Sequence, residues 1–437
     1  MSARPLLAAP LRQALRKLHP TGTTTRCLHQ LSPRPKLPSP PRLHPPTRRA
    51  GSFTHNARTL FRQSPFSVSL ATLLILCGAG SLVYANILYQ YYIVAAFHNY
   101  PEPVAQKLRK ALYYTKTELN PQEAVKYYRQ ALQVAQEVGM DFFSDEVMGI
   151  KILVAGLMEQ IHALPQAVHV LEALRGQCLE WIEGKGAGAD REIRLKRTRL
   201  LAKCVGMSVK LGELYASAEI YDRDAAEERL VWAVETVLKE RQRRDGIRAA
   251  EGISEEALAE REGPWVTTSE SGAALEALAH GYEARDLHYL AAPLFLQALS
   301  QYPTKDCHAV VLMNNLASSL AQQSPRAARA TAAYASSANV TSPGAPTGPV
   351  ATRENLIQNA QMWAQKALDV AATLKPPVRN EECDVGCAVA THNLGEFAEM
   401  LGRKEEARRK YAEAISIARA VGFQEGVENS TARLKLL

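Results

Sequence analysis

The feature that most constrains this chain is a long interval without charge. No Asp, Glu, Lys or Arg occurs between Arg62 and Glu102. Within it, residues Phe66–Asn86 are apolar or small, enough for one helix to cross the roughly 30 Å hydrocarbon layer of a bilayer. A secretory signal core is shorter and lies nearer the N-terminus. The sequence therefore predicts a single transmembrane helix over 66–86, with a buried core helix as the alternative.

The predicted span has features of a helix that contacts both lipid and a partner helix. Tyrosines gather at its C-terminal side, as at a membrane–water boundary. Small residues occupy one side, where a second transmembrane helix can approach closely. We expect the contacts with membrane or partner helix to involve Cys77, Gly78, Gly80, Ser81, Tyr89, Tyr91 and Tyr92.

The residues before the span have the composition of a mitochondrial presequence. The first 101 residues contain ten Arg, two Lys and no acidic residue. Met1–Pro20 sets basic residues among leucines, as an amphipathic import helix does, and Ser32–Pro46 is too rich in proline for helix or sheet. We expect 1–62 to be a presequence followed by a Pro-rich disordered spacer. A disordered basic tail is the alternative.

Charge also predicts the orientation of the span. Arg58 and Arg62 precede it, and basic residues stay on the side from which no further translocation occurs. In mitochondria that side is the matrix, so we expect a single-pass inner-membrane protein with its C-terminal domain in the intermembrane space. The formal charge is +8 overall and +12 over the first 101 residues, which leaves −4 for the rest. That acidic remainder gives no support to nucleic-acid binding.

Downstream of the span, small residues recur at a fixed spacing. Ala279 precedes Ala291 by the same number of positions as Gly395 precedes Ala407. A small residue on one helix lets the next helix come close, and this spacing resembles that of the tetratricopeptide (TPR) repeat, a helix–turn–helix unit of about 34 residues. The predicted fold is therefore all-α, with a helical-repeat solenoid after the transmembrane helix.

Weaker copies of the pattern extend the array to about six units over residues 104–421, although each weak copy alone could be an ordinary helical hairpin. A juxtamembrane segment, 87–103, precedes the array, and a capping helix, 422–437, follows it. Residues 323–352 are rich in Ala, Ser, Thr, Pro and Gly, so we expect a flexible insertion there. The charged stretch Lys239–Gly263 is expected to be a solvated helical extension or linker.

The sequence shows no catalytic or cofactor motif. It lacks a phosphate-binding loop and the His-Glu-x-x-His zinc pattern, so neither an enzyme nor a cofactor is expected. The seven cysteines are scattered, and we expect buried thiols. A disulfide between Cys383 and Cys387, or a metal held there with His392, is the alternative.

TPR arrays bind peptides on the concave face lined by the first helix of each unit. The strings VLMNNLA and ATHNLGEFAEM resemble the first helices of kinesin-light-chain-type TPRs, and by that resemblance Asn315 and Asn393 are candidates for bonds to a peptide backbone. An Asn that bonds a neighbouring helix is the alternative. The expected peptide-binding residues are Asn314, Asn315, Ser318, His392, Asn393 and Glu396.

The stretch Phe61–Thr115, followed by EAVKYYRQALQVAQEVGM, resembles the fungal TPR subunit that serves as substrate adaptor of the mitochondrial inner-membrane i-AAA protease. This resemblance implies that the chain recruits unfolded or membrane proteins to an ATP-dependent protease. Its partners would be the protease subunits, alone or with a second adaptor, the substrates and the bilayer. The alternatives are an outer-membrane TPR import receptor and an assembly scaffold for a mitochondrial membrane complex.

Overall fold

The computed structural model describes residues 65–94, 97–188, 190–330 and 352–437. The predicted presequence and spacer, and most of the predicted insertion, lie outside the described residues. Within the described ranges the secondary structure is helical, without strands. The chain divides into two compact units, residues 1–88 and 89–437.

The first unit contributes helix α1, Pro65–Leu88. The stretch Ser69–Tyr91 is long and apolar enough to cross a membrane, and none of it is buried. A core helix of a soluble protein buries its apolar side chains, whereas Leu74 and Ile75 here are more than 60% exposed. A membrane anchor therefore explains α1 better than a buried core helix does.

The second unit begins with a π-helix, Tyr89–Val94, and continues with α-helices only. In the part that the structure describes, twelve of these helices form six consecutive pairs, which confirms the predicted array of about six units. The pairs are α2 Glu102–Lys116 with α3 Pro121–Glu137, α4 Asp145–Gln160 with α5 Leu164–Gly184, α6 Arg191–Ala216 with α7 Arg223–Glu251, α9 Thr268–Glu283 with α10 His288–Leu299, α11 Cys307–Gln322 with α12 Arg353–Thr373, and α13 Glu381–Met400 with α14 Lys404–Ala420. Outside the pairs lie α8, Glu255–Glu262, and α15, Gln424–Leu436.

Small residues allow the two helices of a unit to pack closely. A methyl group built on Gly395 would lie 3.0 Å from the ring of Tyr411, and one on Gly212 would lie 2.4 Å from Leu230. Tyr411 is fully buried, as are Tyr128 and Phe295 at the same position of their own units. Each aromatic ring thus fills the space that the small residue opposite leaves, which is the packing predicted from the spacing.

The stretch predicted to be a solvated linker is partly buried. Helix α7 continues to Glu251, and Glu240 and Arg244 on it are each only 7% exposed. Arg243 and Arg244 both pair with Glu240, and Arg243 also pairs with Glu262 on α8. The predicted helical extension is present and mostly exposed, but Glu240 and Arg244 are buried because charged side chains neutralise one another there, which composition alone does not show.

Candidate functional site

All six residues predicted to bind a peptide lie on α11 and α13, the first helices of units five and six, and α9 is the first helix of unit four before them. Each of the three begins at a side-chain cap that accepts a backbone N–H. The caps are Thr267 for α9, Asp306 for α11 and Asn380 for α13. These caps fix where each helix starts, and hence which residues face the groove between the helices. We call this surface the groove of units four to six.

A histidine joins the three helices across the groove. His308 on α11 lies 2.8 Å from Oε2 of Glu276 on α9 and 2.7 Å from Oε1 of Glu382 on α13. On α9 itself, Nδ1 of His280 lies 3.1 Å from Glu283, and Nε2 of His280 lies 3.4 Å from the Asn315 amide. These residues form a continuous polar ladder.

The ladder is charged at neutral pH. The hydrogen bonds to Glu276 and Glu382 raise the pKa of His308 to about 10. Burial alone would lower the pKa of His280, but its two glutamate partners outweigh burial and raise it to about 9. Burial likewise opposes the ionisation of Glu276, yet the two imidazoles hold its pKa at about 2. Both histidines therefore act as fixed cations, and the ladder is a set of ion pairs.

Sequence reasoning missed this ladder. The sequence predicted no binding or catalytic role for His280 and His308. The partners of both histidines are carboxylates, and the two that pair with His308 lie 32 and 74 positions away from it in the chain. The only available signal was that the glutamates fall on the first helices of neighbouring units.

Asn314 does not reach the groove. It is 2% exposed, and its Nδ2 donates a 2.9 Å hydrogen bond to the carbonyl oxygen of Gly386 on α13. The structure therefore assigns Asn314 to the alternative reading, an asparagine that bonds a neighbouring helix. Asn315 and Ser318, one and four positions later, are partly exposed on the groove side of α11.

His392 has a hydrogen-bond partner on the C-terminal helix α15. Its Nδ1 lies 2.8 Å from Oγ of Ser430 on α15, and its ring packs against Tyr411 at 5.2 Å between centroids. Burial lowers the pKa of His392, and the charge of Arg433 lowers it further. A neutral imidazole thus fastens the C-terminal helix to unit six, and the role of His392 as a peptide ligand stays a prediction.

Asn393 and Glu396 are the two predicted residues that remain open on α13. Three positions apart, they lie on one face of the helix. Asn393 is buried apart from 8% of its surface, and Glu396 is half-buried. Burial raises the pKa of the Glu396 carboxyl. Among the described residues, neither side chain has a hydrogen-bond partner.

On α1, the predicted contact residues Cys77, Gly78, Gly80 and Ser81 are all exposed. A methyl group on either glycine would meet no atom within 4 Å, so this side of the helix is open. In the second unit Tyr89 and Tyr91 are exposed, and the Tyr92 side chain lies outside the described atoms.

The cysteines correct another expectation. Cys307 at the start of α11 forms a disulfide with Cys383 on α13, so these two are not buried thiols. The alternative pairing of Cys383 with Cys387 is wrong as well, because Cys387 is free. Cys178 and Cys204 are buried thiols as expected. Spacing along the chain could not reveal a bond between residues 76 positions apart.

Comparison with known proteins gives two relatives, and no family model matches the sequence. A TPR repeat-containing protein of Schizosaccharomyces pombe is 26% identical over 331 residues, 75% of this chain and 76% of that protein. Protein MRG3-like of Saccharomyces cerevisiae is 28% identical over 144 residues, 32% of this chain and 30% of that protein.

Solved structures to which the chain is similar include BtubC (BKLC) of P. vanneervenii and yeast Tom70. BtubC is 13% identical, with a TM-score of 0.33 over 73% of this chain and 91% of its own. Tom70 is 13% identical, with a TM-score of 0.14 over 82% and 95%. The six helix pairs form a helical-repeat array, and the S. pombe protein to which this chain is similar is a TPR repeat-containing protein.

Proposed function

We propose that this chain is a single-pass adaptor of the mitochondrial inner membrane that recruits unfolded or membrane proteins to an i-AAA protease. In this proposal α1 is the anchor and the contact with the protease, and the TPR array faces the intermembrane space. The groove of units four to six holds the substrate.

The observation that carries the proposal furthest is the disulfide between Cys307 and Cys383. Disulfides persist in oxidising compartments and are rare in the cytosol. The bond supports an array that faces the intermembrane space, and it counts against an outer-membrane import receptor, whose TPR domain faces the cytosol. The acid-free leader and the arginines before α1 support the same orientation.

The groove supports binding of a polypeptide segment. Asn315, Ser318 and Asn393 place small polar side chains along two adjacent helices, where they can bond the backbone of an extended chain. No group of His, Cys, Asp and Glu with metal-binding geometry occurs in the described ranges, so we propose no role for a metal. An assembly scaffold would use the same surfaces, but it would not deliver its clients for degradation.

Affinity purification of the full chain from mitochondria in mild detergent tests the proposal. We expect the i-AAA protease to co-purify, and a membrane substrate to be degraded more slowly when the chain is deleted. Replacing α1 with a generic Leu-rich helix should abolish co-purification with the protease while substrate binding persists. Changing both Asn315 and Asn393 to Ala should weaken substrate binding by about 1–3 kcal/mol and leave the protease contact intact.

Added protease supplies the topological test. In intact mitochondria the array should be protected, and after rupture of the outer membrane it should be degraded. Digestion in intact mitochondria would favour the outer-membrane receptor. Co-purification with a membrane complex but no protease, together with unchanged substrate turnover, would favour the scaffold.

A further inference from the structure

One pair of polar side chains in the groove has no partner within the described chain. Only 8% of Asn393 is exposed, yet its side-chain amide makes no hydrogen bond to any described residue. Buried polar groups are nearly always hydrogen-bonded. The side-chain amide atoms of Asn393 are not fully enclosed, so a ligand in the groove can still reach them.

Glu396 lies one turn further along the same face of α13 and is half-buried. Its carboxylate has no hydrogen-bond partner among the described residues. The nearest cation, Arg433, is already engaged, because its Nη2 donates a 2.9 Å hydrogen bond to Glu399. Burial and the neighbouring charge of Glu399 raise the pKa of Glu396, and Arg433 only partly opposes them.

Three other carboxylates on α9 and α13 are paired with histidines. Glu276 and Glu382 share the imidazole of His308, and Glu283 pairs with His280. Glu396 therefore differs from them in one respect: among the described residues no cation pairs with it directly, and the charge of Arg433 offsets its partial burial only in part. A half-buried carboxylate is costly unless a positive group or hydrogen-bond donors come to it.

We propose that Asn393 and Glu396 bind the guanidinium or ammonium group of an Arg or Lys side chain from the bound polypeptide, so that unit six selects basic segments. This inference rests on the proposed function and names the chemistry of its substrate. The cation would pair with the Glu396 carboxylate, and the Asn393 amide oxygen would accept a second N–H from the same group. An acidic segment would meet repulsion from Glu396 and Glu399 instead.

The test is peptide binding to the full chain in detergent micelles. The probes are short fluorescein-labelled peptides of one Ser-, Ala- and Leu-rich sequence that differ only in a central Arg, Gln or Glu. Fluorescence anisotropy should show the Arg peptide binding about tenfold more tightly than the Gln peptide, since a hydrogen bond to a charged group contributes about that much. The Glu peptide should bind most weakly.

Glu396→Gln should remove the preference for Arg while affinity for the Gln peptide stays the same. Glu396→Arg should reverse the order in favour of the Glu peptide. Glu413→Gln is the matched control, because Glu413 is exposed on α14 and pairs with Lys410 at 2.8 Å, and it should keep the preference for Arg. Circular dichroism checks that every variant is folded.

Equal affinity of the parent chain for the Arg and Gln peptides would overturn the inference while leaving peptide binding by the array in place. Retention of the preference for Arg in Glu396→Gln would overturn it too. If none of the three peptides binds, the groove itself is misassigned, and the proposed adaptor role then depends on co-purification with the protease alone.

Discussion

Nδ2 of Asn314 donates a hydrogen bond of 2.9 Å to the carbonyl oxygen of Gly386, across the contact between units five and six. The approach is possible because Gly386 has no side chain. A methyl group there would lie 3.0 Å from Cγ1 of Val310 and 3.9 Å from the Asn314 amide nitrogen. Helices α11 and α13 are thus held together by a backbone contact that only a small residue permits.

We expect Asn314→Ala to lower the free energy of unfolding by about 0.5–1.5 kcal/mol, because it removes a buried hydrogen bond between units five and six. Urea denaturation followed by circular dichroism measures the change. Asn315→Ala is the control, since Asn315 is partly exposed one position away. Equal, small effects of both substitutions would show that the hydrogen bond contributes nothing.

The ladder predicts that His308 makes a pH-dependent contribution to the free energy of unfolding. Its pKa is raised from 6.5 to about 10 in the folded chain, so the folded state holds the proton more tightly than the unfolded state. Its stabilisation is therefore complete below about pH 6.5 and is lost as pH rises toward 10. We expect His308→Gln to cost about 1–3 kcal/mol at pH 6 and progressively less above pH 8.

His169→Gln is the control for this measurement, because His169 is exposed on α5. Urea denaturation of the parent and both variants across the pH range gives the difference in free energy of unfolding. A cost of His308→Gln that does not change with pH would mean that its ion pairs do not stabilise the folded chain.

Removing the disulfide should destabilise the folded chain more than either Asn314→Ala or His308→Gln. Cys307 and Cys383 are 76 positions apart, and closing a long loop restricts the unfolded chain substantially. Under oxidising conditions we expect Cys307→Ser to lower the melting temperature and to reduce the free energy of unfolding by about 2–4 kcal/mol. In the presence of a reductant the parent chain also lacks the bond, so the variant and the parent should then differ little. Cys387→Ser, which removes the free thiol on α13, should leave the melting temperature nearly unchanged.

The central part of the insertion should be replaceable by a shorter linker, whereas the described residues at its two ends stabilise the array. Gln323 is buried and its carbonyl accepts from Arg353, while Thr352 caps α12 by accepting from the Asn355 N–H. We expect a short Gly/Ser linker in place of residues 331–351 to change the free energy of unfolding by less than about 1 kcal/mol. A swap of the whole stretch 323–352 should cost more, because it removes the cap. Loss of helicity with the shorter swap would show that residues 331–351 pack on the array.

Periodicity predicted the parts of this structure that depend on neighbours in sequence or on repeat spacing. The steps from Ala279 to Ala291 and from Gly395 to Ala407 located two units, and weaker copies led to the other four. A helix of apolar residues followed directly from the uncharged interval around Phe66–Asn86. In each case the physical cause, small residues at close contacts or hydrocarbon thickness, leaves a local pattern.

Contacts between distant residues left no such pattern. His308 could not be matched with Glu276 and Glu382 until α9, α11 and α13 were placed side by side. Asn314 and Asn315 look alike in sequence, but the turn of the helix sends one into a helix contact and the other toward the groove. His392 and Asn393 are likewise neighbours on α13, but among the described residues only His392 has a side-chain hydrogen-bond partner, Ser430. Which neighbour faces which way depends on the angle between helices, and a single sequence does not contain it.

The bond between Cys307 and Cys383 also encloses the entire second helix of unit five and the insertion before it. A protease that cuts the chain once anywhere between these two cysteines therefore leaves one covalent molecule. Units one to four stay tethered to unit six until a reductant releases them. Cleavage of the backbone within the insertion would therefore leave the anchor and the groove of units four to six covalently joined in one molecule.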